Sequence, residues 1–413
     1  MIHSVQCFLS SIKLRRKIFL GGIFIVLLFP QKVSHAQTQT GSFEFEGRTR
    51  DYIVSLPDNF RDTTNFPLVI YLHGYDWTAE IEIDYTLMNL VADTSGFIVV
   101  FPNAVDRRWN SGIGEDAAWP TPDIDDVGFI NALIDTLSNH YSINLERIYA
   151  CGLSNGGFMS YKLACQLSHR IAAIASVGGV ISSGTADNCN PQHTMPVLQI
   201  HGTADGLVSL YGTTDWYSVD QTLSYWTDFN GCVQVDTVLL PDLDPTDGCT
   251  VEKITYSNCS DESNVIFYKV IHGGHNWPDA TADYSWAGKK TKDINAGVEI
   301  LNFFKNYELV TSIEATPNST PGEFCLFQNY PNPFNTETTI LYQLPELLNV
   351  KLVIYNLLGQ SIAILKDEEQ SAGTYSVQWD GKDGTGKQLP RGVYLYRLET
   401  MEFSEVKKLT LQR

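Results

Sequence analysis

The 413-residue sequence has few basic residues. It contains 28 lysines and arginines against 47 aspartates and glutamates, a formal net charge of −19 at pH 7. Five of the basic residues and none of the acidic ones precede residue 37, so the rest of the chain carries a net charge of −24. Such acidity argues against nucleic acid and anionic membrane surfaces as partners, because both are negatively charged themselves.

Long apolar runs are absent beyond the N-terminus. One run, Ile18–Phe29, follows a basic cluster at residues 13–17 and precedes a small-residue stretch at 34–36. It is well short of the ~20 apolar residues that a membrane-spanning helix needs. The succession of basic, apolar and small residues is typical of a secretory signal peptide. We therefore predict a signal peptide over residues 1–36 and no transmembrane segment after its removal.

The sequence also lacks Cys and His clusters with the spacing of metal ligands. We therefore expect neither a metal nor an organic cofactor. Seven cysteines remain outside the predicted signal peptide, and disulfides are common in exported proteins. Cys165 and Cys189 are candidates for one bridge, and two of Cys232, Cys249 and Cys259 for another. Which two of these three pair is not determined by the spacing.

Short apolar runs and helical patterns alternate between residues 42 and 307. Six runs rich in β-branched residues are typical of buried parallel strands: FPLVIYLHG, GFIVVFPNA, RIYACGLS, IAAIASVGG, MPVLQIHG and NVIFYKVI. Asp126–Tyr141 has apolar residues at three- and four-residue spacing, which predicts a helix. The alternation predicts an α/β fold, a mostly parallel sheet with helices on both faces. Cys151 lies within a predicted strand and is expected to be a buried thiol.

The alternation ends at residues 311–326, where prolines and small polar residues predict a linker. Beyond it, short strand-like segments follow one another with turn residues between them and no helical pattern. This succession predicts an all-β sandwich over residues 327–413. The predicted organisation is thus a signal peptide, an α/β domain over residues 37–310, a linker and a β-sandwich.

A serine stands among glycines in the stretch ACGLSNGGFM, residues 150–159. A predicted strand ends and a predicted helix begins at Ser154, and Gly152-x-Ser154-x-Gly156 has the pattern of a nucleophile elbow. The glycines have a steric reason, because the strained turn brings the residues two before and two after the serine together. We interpret Ser154 as a nucleophile rather than as part of a glycine-rich helix cap.

A serine nucleophile needs a base, and the base needs a carboxylate that holds its tautomer. Asp205 follows the predicted strand MPVLQIHG and His275 follows NVIFYKVI. Both therefore stand at strand carboxyl ends, where open α/β sheets assemble their sites. The predicted triad is Ser154, His275 and Asp205, and the competing His201 and His272 are expected to be structural. The alternative acids lie in loops or a helix: Asp215, Asp220, Asp242 and Asp244.

An acyl-transfer intermediate also needs backbone donors for its oxyanion. We predict that the N–H groups of Tyr75 and Asn155 provide them. Residues 104–123 and 206–220 are expected to form the pocket walls. Four aromatic or amide side chains are predicted to contact substrate: Trp109, Trp277, Asn110 and Trp119. For each of them, a role in the core is the alternative.

Six blocks in this order, YLHG, FPNAVDRRWNSG, DDVGFI, YACGLSNGG, HGTAD and GGHNWP, resemble the secreted esterases grouped with polyhydroxybutyrate depolymerases and feruloyl esterases. The resemblance spans roughly residues 43–307 and implies an α/β-hydrolase fold. It implies the same nucleophile, acid, base and oxyanion donors as the residue patterns do. Many polymer depolymerases of this group have a cysteine where Tyr75 stands and a smaller residue where Asn155 stands. This departure weakens the polyester interpretation.

The C-terminal segments NYPNPFNTETTI, VIYNLLGQ, VQWDGKDGTG and LPRGVYLYRL, with the final KKLTLQR, resemble the type A sorting domain of the type IX secretion system. The resemblance implies that the secretion machinery of a Gram-negative bacterium is a partner. It also implies that the protein is released or held at the cell surface. A polymer- or carbohydrate-binding sandwich is the alternative, because sandwiches serve many functions.

Together these patterns predict a secreted serine esterase that forms an acyl-enzyme. Its predicted substrates are feruloyl or acetyl esters of plant polysaccharide, or hydroxyalkanoate polyester. A serine peptidase of the same fold and an inactive glycan-binding surface protein are the alternatives. Assays on peptide substrates distinguish the first alternative, and labelling by a serine-directed fluorophosphonate distinguishes the second.

Overall fold

The computed structural model describes residues 37–412 except positions 62, 115–123, 310–323, 328, 330, 331, 333, 335 and 336. The predicted signal peptide and most of the predicted linker lie outside the described residues. The chain divides into two compact units, one ending at Tyr307 and the other beginning at Glu308. No helix in the described part of the chain is long and apolar enough to cross a membrane.

Ten strands form one sheet in the N-terminal unit. They are β1 Gln37–Phe45, β2 Arg48–Leu56, β3 Phe66–Leu72, β4 Ile98–Pro102, β5 Ile143–Leu153, β6 Ala173–Val177, β7 Val197–Gly202, β8 Gln234–Leu239, β9 Thr250–Ser257 and β10 Val265–Ile271. Their spatial order is β1-β2-β4-β3-β5-β6-β7-β10-β9-β8. The six central strands in this order, β4, β3, β5, β6, β7 and β10, are parallel to one another. The two strands at each edge, β1 and β2 on one side and β9 and β8 on the other, pair antiparallel.

The six parallel strands are those that the apolar runs predict, which confirms the α/β fold class. Every residue of β3, β4, β6 and β7 is buried, so both faces of the sheet centre are covered. The antiparallel edge strands were not predicted. All residues of β8 are exposed, and β1 is largely polar, so neither has the apolar signal of a buried strand.

Seven helices accompany the sheet in the described part of this unit. They are α1 Ala79–Thr86, α2 Met88–Ser95, α3 Asp126–Ser138, α4 Asn155–Gln166, α5 Ser183–Ala186, α6 Val219–Phe229 and α7 Ala296–Phe304. The predicted helix Asp126–Tyr141 is α3. Its N-cap, Asp125, accepts a hydrogen bond from Gly128 N–H at 2.8 Å. The apolar residues at the predicted spacing, among them Ile130 and Leu133, are buried.

Two disulfides are present in the N-terminal unit, Cys165–Cys189 and Cys232–Cys259. The first is the predicted bridge, and the second settles which pair forms among the three candidates. Cys249 is a buried free thiol, and burial raises its pKa to about 11. Cys151 is also buried and free, as expected, and burial raises the pKa of its thiol further.

The C-terminal unit is all-β in its described residues. Its strands are β11 Cys325–Leu326, β12 Thr338–Leu344, β13 Leu348–Tyr355, β14 Ser361–Gln370, β15 Gly373–Trp379, β16 Gly392–Glu399 and β17 Ser404–Leu411. One sheet has the order β11-β12-β15 and the other β14-β13-β16-β17. Side chains from both sheets, such as Ile340, Trp379, Leu352 and Tyr396, share one core. This is the β domain that the sequence predicts, with the short β11 as an addition.

Candidate active site

Ser154 occupies a strained turn between β5 and α4. Its backbone has φ 55° and ψ −118°, a conformation that a non-glycine residue rarely adopts. Its N–H donates to Val177 O at 2.8 Å, and its carbonyl accepts from Phe158 N–H at 3.0 Å. The turn is thus fixed by the neighbouring strand β6 and by the first turn of α4, as in a nucleophile elbow.

The glycines on either side of Ser154 permit this turn to pack. A Cβ on Gly152 would lie 2.7 Å from the carbonyl carbon of Gly156. A Cβ on Gly156 would lie 1.9 Å from Leu72 O of β3. Both approaches are closer than real Cβ atoms allow. The G-x-S-x-G pattern therefore reflects contact between the two glycines and with β3.

Asp205 and His275 lie together at the carboxyl ends of β7 and β10. Asp205 Oδ2 is 2.7 Å from His275 Nδ1, and its Oδ1 accepts from the N–H groups of Leu207 at 2.9 Å and Val208 at 2.8 Å. Burial opposes ionisation of Asp205. The hydrogen bond and charge of His275 outweigh this effect and hold the pKa of Asp205 below its usual value. Asp205 is therefore a carboxylate over the physiological pH range.

The competing histidines have structural environments. His201 is buried, its Nε2 donates to Val208 O at 2.8 Å, and burial lowers its pKa. His201 is thus neutral, although its Nε2 lies 3.4 Å from Asp205 Oδ2. His272 is exposed, and its backbone N–H donates to Thr203 Oγ1 at 2.8 Å. Among the candidate acids, Asp205 alone bonds His275 in the described part of the chain.

Ser154, Tyr75 and Asn155 line one open cleft of about 400 Å³. Among the described residues, no acceptor bonds the backbone N–H of Tyr75 or of Asn155. The N–H of Asn155 belongs to the first turn of α4, where helical N–H groups have no partner within the helix. Two unbonded N–H groups beside a strained serine are the donors that an oxyanion needs.

No hydrogen bond joins Ser154 Oγ to His275 among these residues. Catalytic hydrogen bonds are often long until substrate binds.

The side chain of Asn155 ties the elbow to the loop that follows β4. Its Oδ1 accepts from Trp109 N–H at 2.7 Å, and its Nδ2 donates to Ser111 Oγ at 2.9 Å. The same loop is held from α3, where Asp126 accepts from Asn110 N–H and from buried Arg50, both at 2.8 Å. The side chain of Asn155 thus fixes a loop that contributes Ile113 to the cleft.

Trp109 and Trp277 do not line the cleft, which corrects the prediction that both contact substrate. Both side chains are fully buried. Trp109 packs against His73 at 5.1 Å between ring centroids and donates from Nε1 to His73 O at 3.1 Å. Trp277 packs against Tyr71 at 5.5 Å. The two tryptophans lie close to candidate site residues in the sequence, but their large apolar rings pack in the protein interior.

In the described part of the chain, the cleft walls are apolar. Its lining side chains, apart from Ser154, Asn155 and Tyr75, are Ile113, Phe158, Leu207 and Val208. Ile113 comes from the predicted wall at residues 104–123, and Leu207 and Val208 come from the predicted wall at 206–220. Trp119 lies outside the described residues. Asn110 donates from Nδ2 to Ile124 O at 2.9 Å and accepts from Lys162 Nζ at 3.1 Å, and it is not a lining residue.

Two polar residues close to the site were missed by the sequence analysis. Glu82 of α1 is fully buried and accepts from Gly74 N–H at 2.7 Å, next to Tyr75. Asn276 donates from Nδ2 to the carbonyls of residues 287–289 at 3.0–3.1 Å and so holds the loop beside His275. A signal existed for Glu82, which shares a helix face with buried Ala79 and Tyr85 at three-residue spacing.

Two family models match the chain. Residues 51–218 match the family described as Esterase PHB depolymerase, and residues 335–402 match the FlgD Ig-like domain. The first match covers β2 through to the loop before α6 and includes Ser154 and Asp205. The second covers most of the C-terminal β unit.

Several named esterases are similar to part of this chain. A putative esterase, NocK, of Nocardia uniformis subsp. tsuyamanensis is 27% identical over 61% of this chain and 77% of its own. Feruloyl esterase D of Neurospora crassa is 25% identical over 58% of this chain and 78% of its own. A bifunctional acetylxylan esterase/xylanase of Neocallimastix patriciarum is 30% identical over 40% of this chain but only 22% of its own.

Solved structures with similarity include an acetyl xylan esterase from Aspergillus awamori, with a TM-score of 0.45 and 13% identity over 65% of this chain and 99% of the other. A CE1 ferulic acid esterase from Anaeromyces mucronatus has a TM-score of 0.42 and 16% identity over 67% of this chain and 92% of the other.

Proposed function

We propose that Ser154, His275 and Asp205 carry out ester cleavage in this protein, a carboxylic ester hydrolase whose α/β domain resembles the esterase group of polyhydroxybutyrate depolymerases and feruloyl esterases. One observation carries the proposal. Ser154 lines the same cleft as Tyr75 and Asn155, whose backbone N–H groups have no acceptor among the described residues, and the Asp205–His275 pair has the geometry of a triad base and its orienting acid.

In the proposed mechanism, Ser154 Oγ attacks the ester carbonyl and its proton passes to His275 Nε2. Asp205 bonds Nδ1, keeps the ring in the tautomer with Nε2 free to accept a proton, and stabilises the imidazolium that forms. The backbone N–H groups of Tyr75 and Asn155 donate to the oxyanion. His275 then protonates the leaving alcohol, and a water activated by the same ring releases the acid from the acyl-enzyme.

For the substrate, we propose a carboxylic ester with an apolar acyl group, of which a feruloyl ester on plant polysaccharide is the favoured member. The walls formed by Ile113, Phe158, Leu207 and Val208 supply apolar area and no charged group. An aromatic acyl group gains from burial there, at roughly 25 cal/mol per Å². Acetylated polysaccharide and hydroxyalkanoate esters are the competing substrates, and the name of one relative, a feruloyl esterase, agrees with the first choice.

The test is acid release at constant pH from feruloylated arabinoxylan, acetylated xylan and hydroxybutyrate oligomers, measured side by side. Ser154→Ala is expected to lower kcat by a factor on the order of 10⁵. Ser224→Ala is the matched control, because Ser224 is an exposed serine on α6. It is expected to retain full activity.

Turnover of the feruloyl ester alone supports both the triad and the acyl preference. Turnover of another ester with a dead Ser154→Ala variant retains the mechanism and rejects the preferred substrate. An active Ser154→Ala variant rejects the mechanism. Cleavage of peptides but of none of the esters favours a peptidase, and a wild type that a fluorophosphonate fails to label at Ser154 favours an inactive binding protein.

We also propose that the protein is exported, with residues 1–36 as a signal peptide, 311–326 as a linker and 327–413 as a type IX sorting domain. The C-terminal motifs and the separate β unit support this assignment. A reporter flanked by residues 1–36 and 311–413 is expected to reach the medium or cell surface of a bacterium that has this secretion system. A reporter with residues 1–36 alone is expected to stay in the periplasm, and equal export of both would reject the sorting role.

A further inference from the structure

Glu82 is a fully buried carboxyl group that the proposed mechanism does not use. It lies on α1 and reaches the segment that connects β3 to the cleft. Gly74 N–H donates to its Oε1 at 2.7 Å, and the hydroxyl of Tyr71 donates to its Oε2 at 2.9 Å. A Cβ on Gly74 would lie 3.5 Å from Glu82 Oε1 and 3.8 Å from Ser154 Cβ. The Glu82 carboxyl group and Ser154 therefore both lie next to Gly74.

The hydrogen bonds around Gly74 determine where Tyr75 N–H points. Glu82 accepts from the N–H of Gly74 and so holds the peptide unit that precedes the Gly74 Cα. On the other side, the Gly74 carbonyl accepts from His73 Nδ1 at 2.8 Å and from Trp77 N–H at 3.2 Å. Each peptide unit is planar, so fixing both units fixes the two free dihedrals between them. Glycine has no side chain to restrain these dihedrals, and the hydrogen bonds supply the restraint.

Among the described residues, no positively charged group is found to act on Glu82. The titratable groups that face it are Tyr71 on β3, Cys151 on β5 and Tyr85 on its own helix. Burial raises the pKa of Glu82 to about 8, against the smaller lowering effects of its bonds from Gly74 and Tyr71. Burial thus favours the neutral, protonated form of Glu82.

We propose that Glu82 is a positioning residue whose carboxyl group, bonded to Gly74 N–H, holds the oxyanion donor of Tyr75 in place. The proposal rests on the proposed function, in which Tyr75 N–H stabilises the oxyanion. Neutrality matters because the developing oxyanion is negative. An ionised Glu82 beside Gly74 would place a negative charge close to the oxyanion, repel it and weaken transition-state binding.

The test compares kcat and KM of three variants from about pH 6 to about pH 10 on a soluble aryl acetate, with Ser154→Ala as the blank for spontaneous hydrolysis. Glu82→Gln keeps an acceptor for Gly74 N–H and cannot ionise. Glu82→Leu removes the acceptor. Asp84→Asn is the matched control, because it removes a carboxyl group from an exposed position on the same helix.

We expect the wild type and Asp84→Asn to lose kcat above about pH 8, where Glu82 ionises. Glu82→Gln is expected to keep kcat within about threefold at neutral pH and to lack this decline. Glu82→Leu is expected to lower kcat by roughly tenfold or more with little change in KM, because a displaced oxyanion donor acts on the transition state.

The inference is overturned if Glu82→Gln shows the same decline as the wild type, or if Glu82→Leu keeps full kcat. A Glu82→Leu variant that does not fold leaves the pH profile of Glu82→Gln as the deciding measurement. The failure of the proposed function has a different signature, since the wild type would then hydrolyse the ester no faster than Ser154→Ala.

Discussion

Asp205 holds His275 through a 2.7 Å contact between Oδ2 and Nδ1, while its other oxygen accepts two backbone N–H groups, from Leu207 and Val208. The carboxylate is thus restrained at both oxygens. Because Nδ1 of His275 bonds the carboxylate, the ring's other nitrogen is the one available to exchange a proton. The sequence predicted the Asp205–His275 pair because both residues follow strand ends. The N–H groups that fix the carboxylate belong to the turn after β7.

Replacing Asp205 by Asn should reduce kcat by roughly 10³-fold or more with a much smaller change in KM. The amide can donate to Nδ1, which favours the tautomer with the proton on the catalytic nitrogen. Asp220→Asn, an exposed acid that was an alternative in the sequence analysis, is the control and should keep full activity. Steady-state kinetics on one soluble ester decide the matter. Equal losses in the two variants would contradict the assignment of Asp205.

Gly178 lies behind the His275 ring, and Gly178→Ala should lower kcat by about tenfold or more. A Cβ at this position would lie 3.1 Å from both Nδ1 and Cε1 of His275, and the backbone φ of +60° disfavours any side chain. The displaced ring would no longer meet the serine correctly. Gly206→Ala is the control, since its Cβ would meet no atom within 4 Å and its φ is not in the left-handed region. Unchanged kcat in Gly178→Ala would show that the ring tolerates this contact.

The sequence locates most directly those residues whose neighbours along the chain indicate their place in the sheet. Ser154, Asp205 and His275 each follow a buried apolar strand, and strand ends of a parallel sheet converge. The chain positions of Trp109 and Trp277 had the same kind of signal, yet their rings face inward. Proximity in sequence locates a residue near the site but not the direction of its side chain.

Glu82 and the edge strands were missed for a different reason. The partners of Glu82, Tyr71 and Gly74, are on another element, and no local pattern records that contact. The edge strand β8 has only exposed residues and pairs with β9 through its backbone. Hydrophobic periodicity reports burial, so it indicates that position 82 faces inward but not which groups bond there, and it gives no signal for a strand held by backbone pairing alone.

Asn155→Ala should destabilise the N-terminal unit by about 2 kcal/mol and also lower kcat. Removing the side chain leaves the buried Trp109 N–H without its 2.7 Å acceptor and Ser111 Oγ without its 2.9 Å donor. The loop they belong to carries the cleft residue Ile113. Denaturant unfolding and kinetics on the same preparation test both effects. Asn188→Ala, which removes an exposed side chain, is the control, and equal stability of the two variants would contradict the role of Asn155.

The Cys165–Cys189 disulfide ties the end of α4 to a loop 24 residues further along the chain. In the chain-entropy account, closing a loop of this length stabilises the folded state by about 3–4 kcal/mol. The double variant Cys165→Ala/Cys189→Ala should therefore unfold at a lower temperature while its kcat at room temperature stays close to that of the wild type. The double variant Cys151→Ala/Cys249→Ala removes two buried free thiols as a comparison. A disulfide variant as stable as the wild type would contradict the prediction.

Glu82 should also make the stability of the N-terminal unit depend on pH. The pKa of this carboxyl rises from an ordinary 4.5 to about 8 on folding, so the folded chain keeps a proton that the unfolded chain releases. The stabilisation is complete below about pH 4.5 and is lost progressively as the pH rises to about 8. Glu82→Gln removes this linkage, since an amide does not titrate.

The free energy of unfolding of Glu82→Gln, relative to the wild type, should therefore increase between about pH 5 and about pH 8. Asp84→Asn on the same helix, an exposed position, should show no comparable trend. Denaturant unfolding at several pH values measures both differences. A constant difference between Glu82→Gln and the wild type would mean that Glu82 is ionised in the folded protein throughout this range. A charged group at that position would oppose the oxyanion at every pH, and Glu82 could not then support Tyr75 in the way proposed.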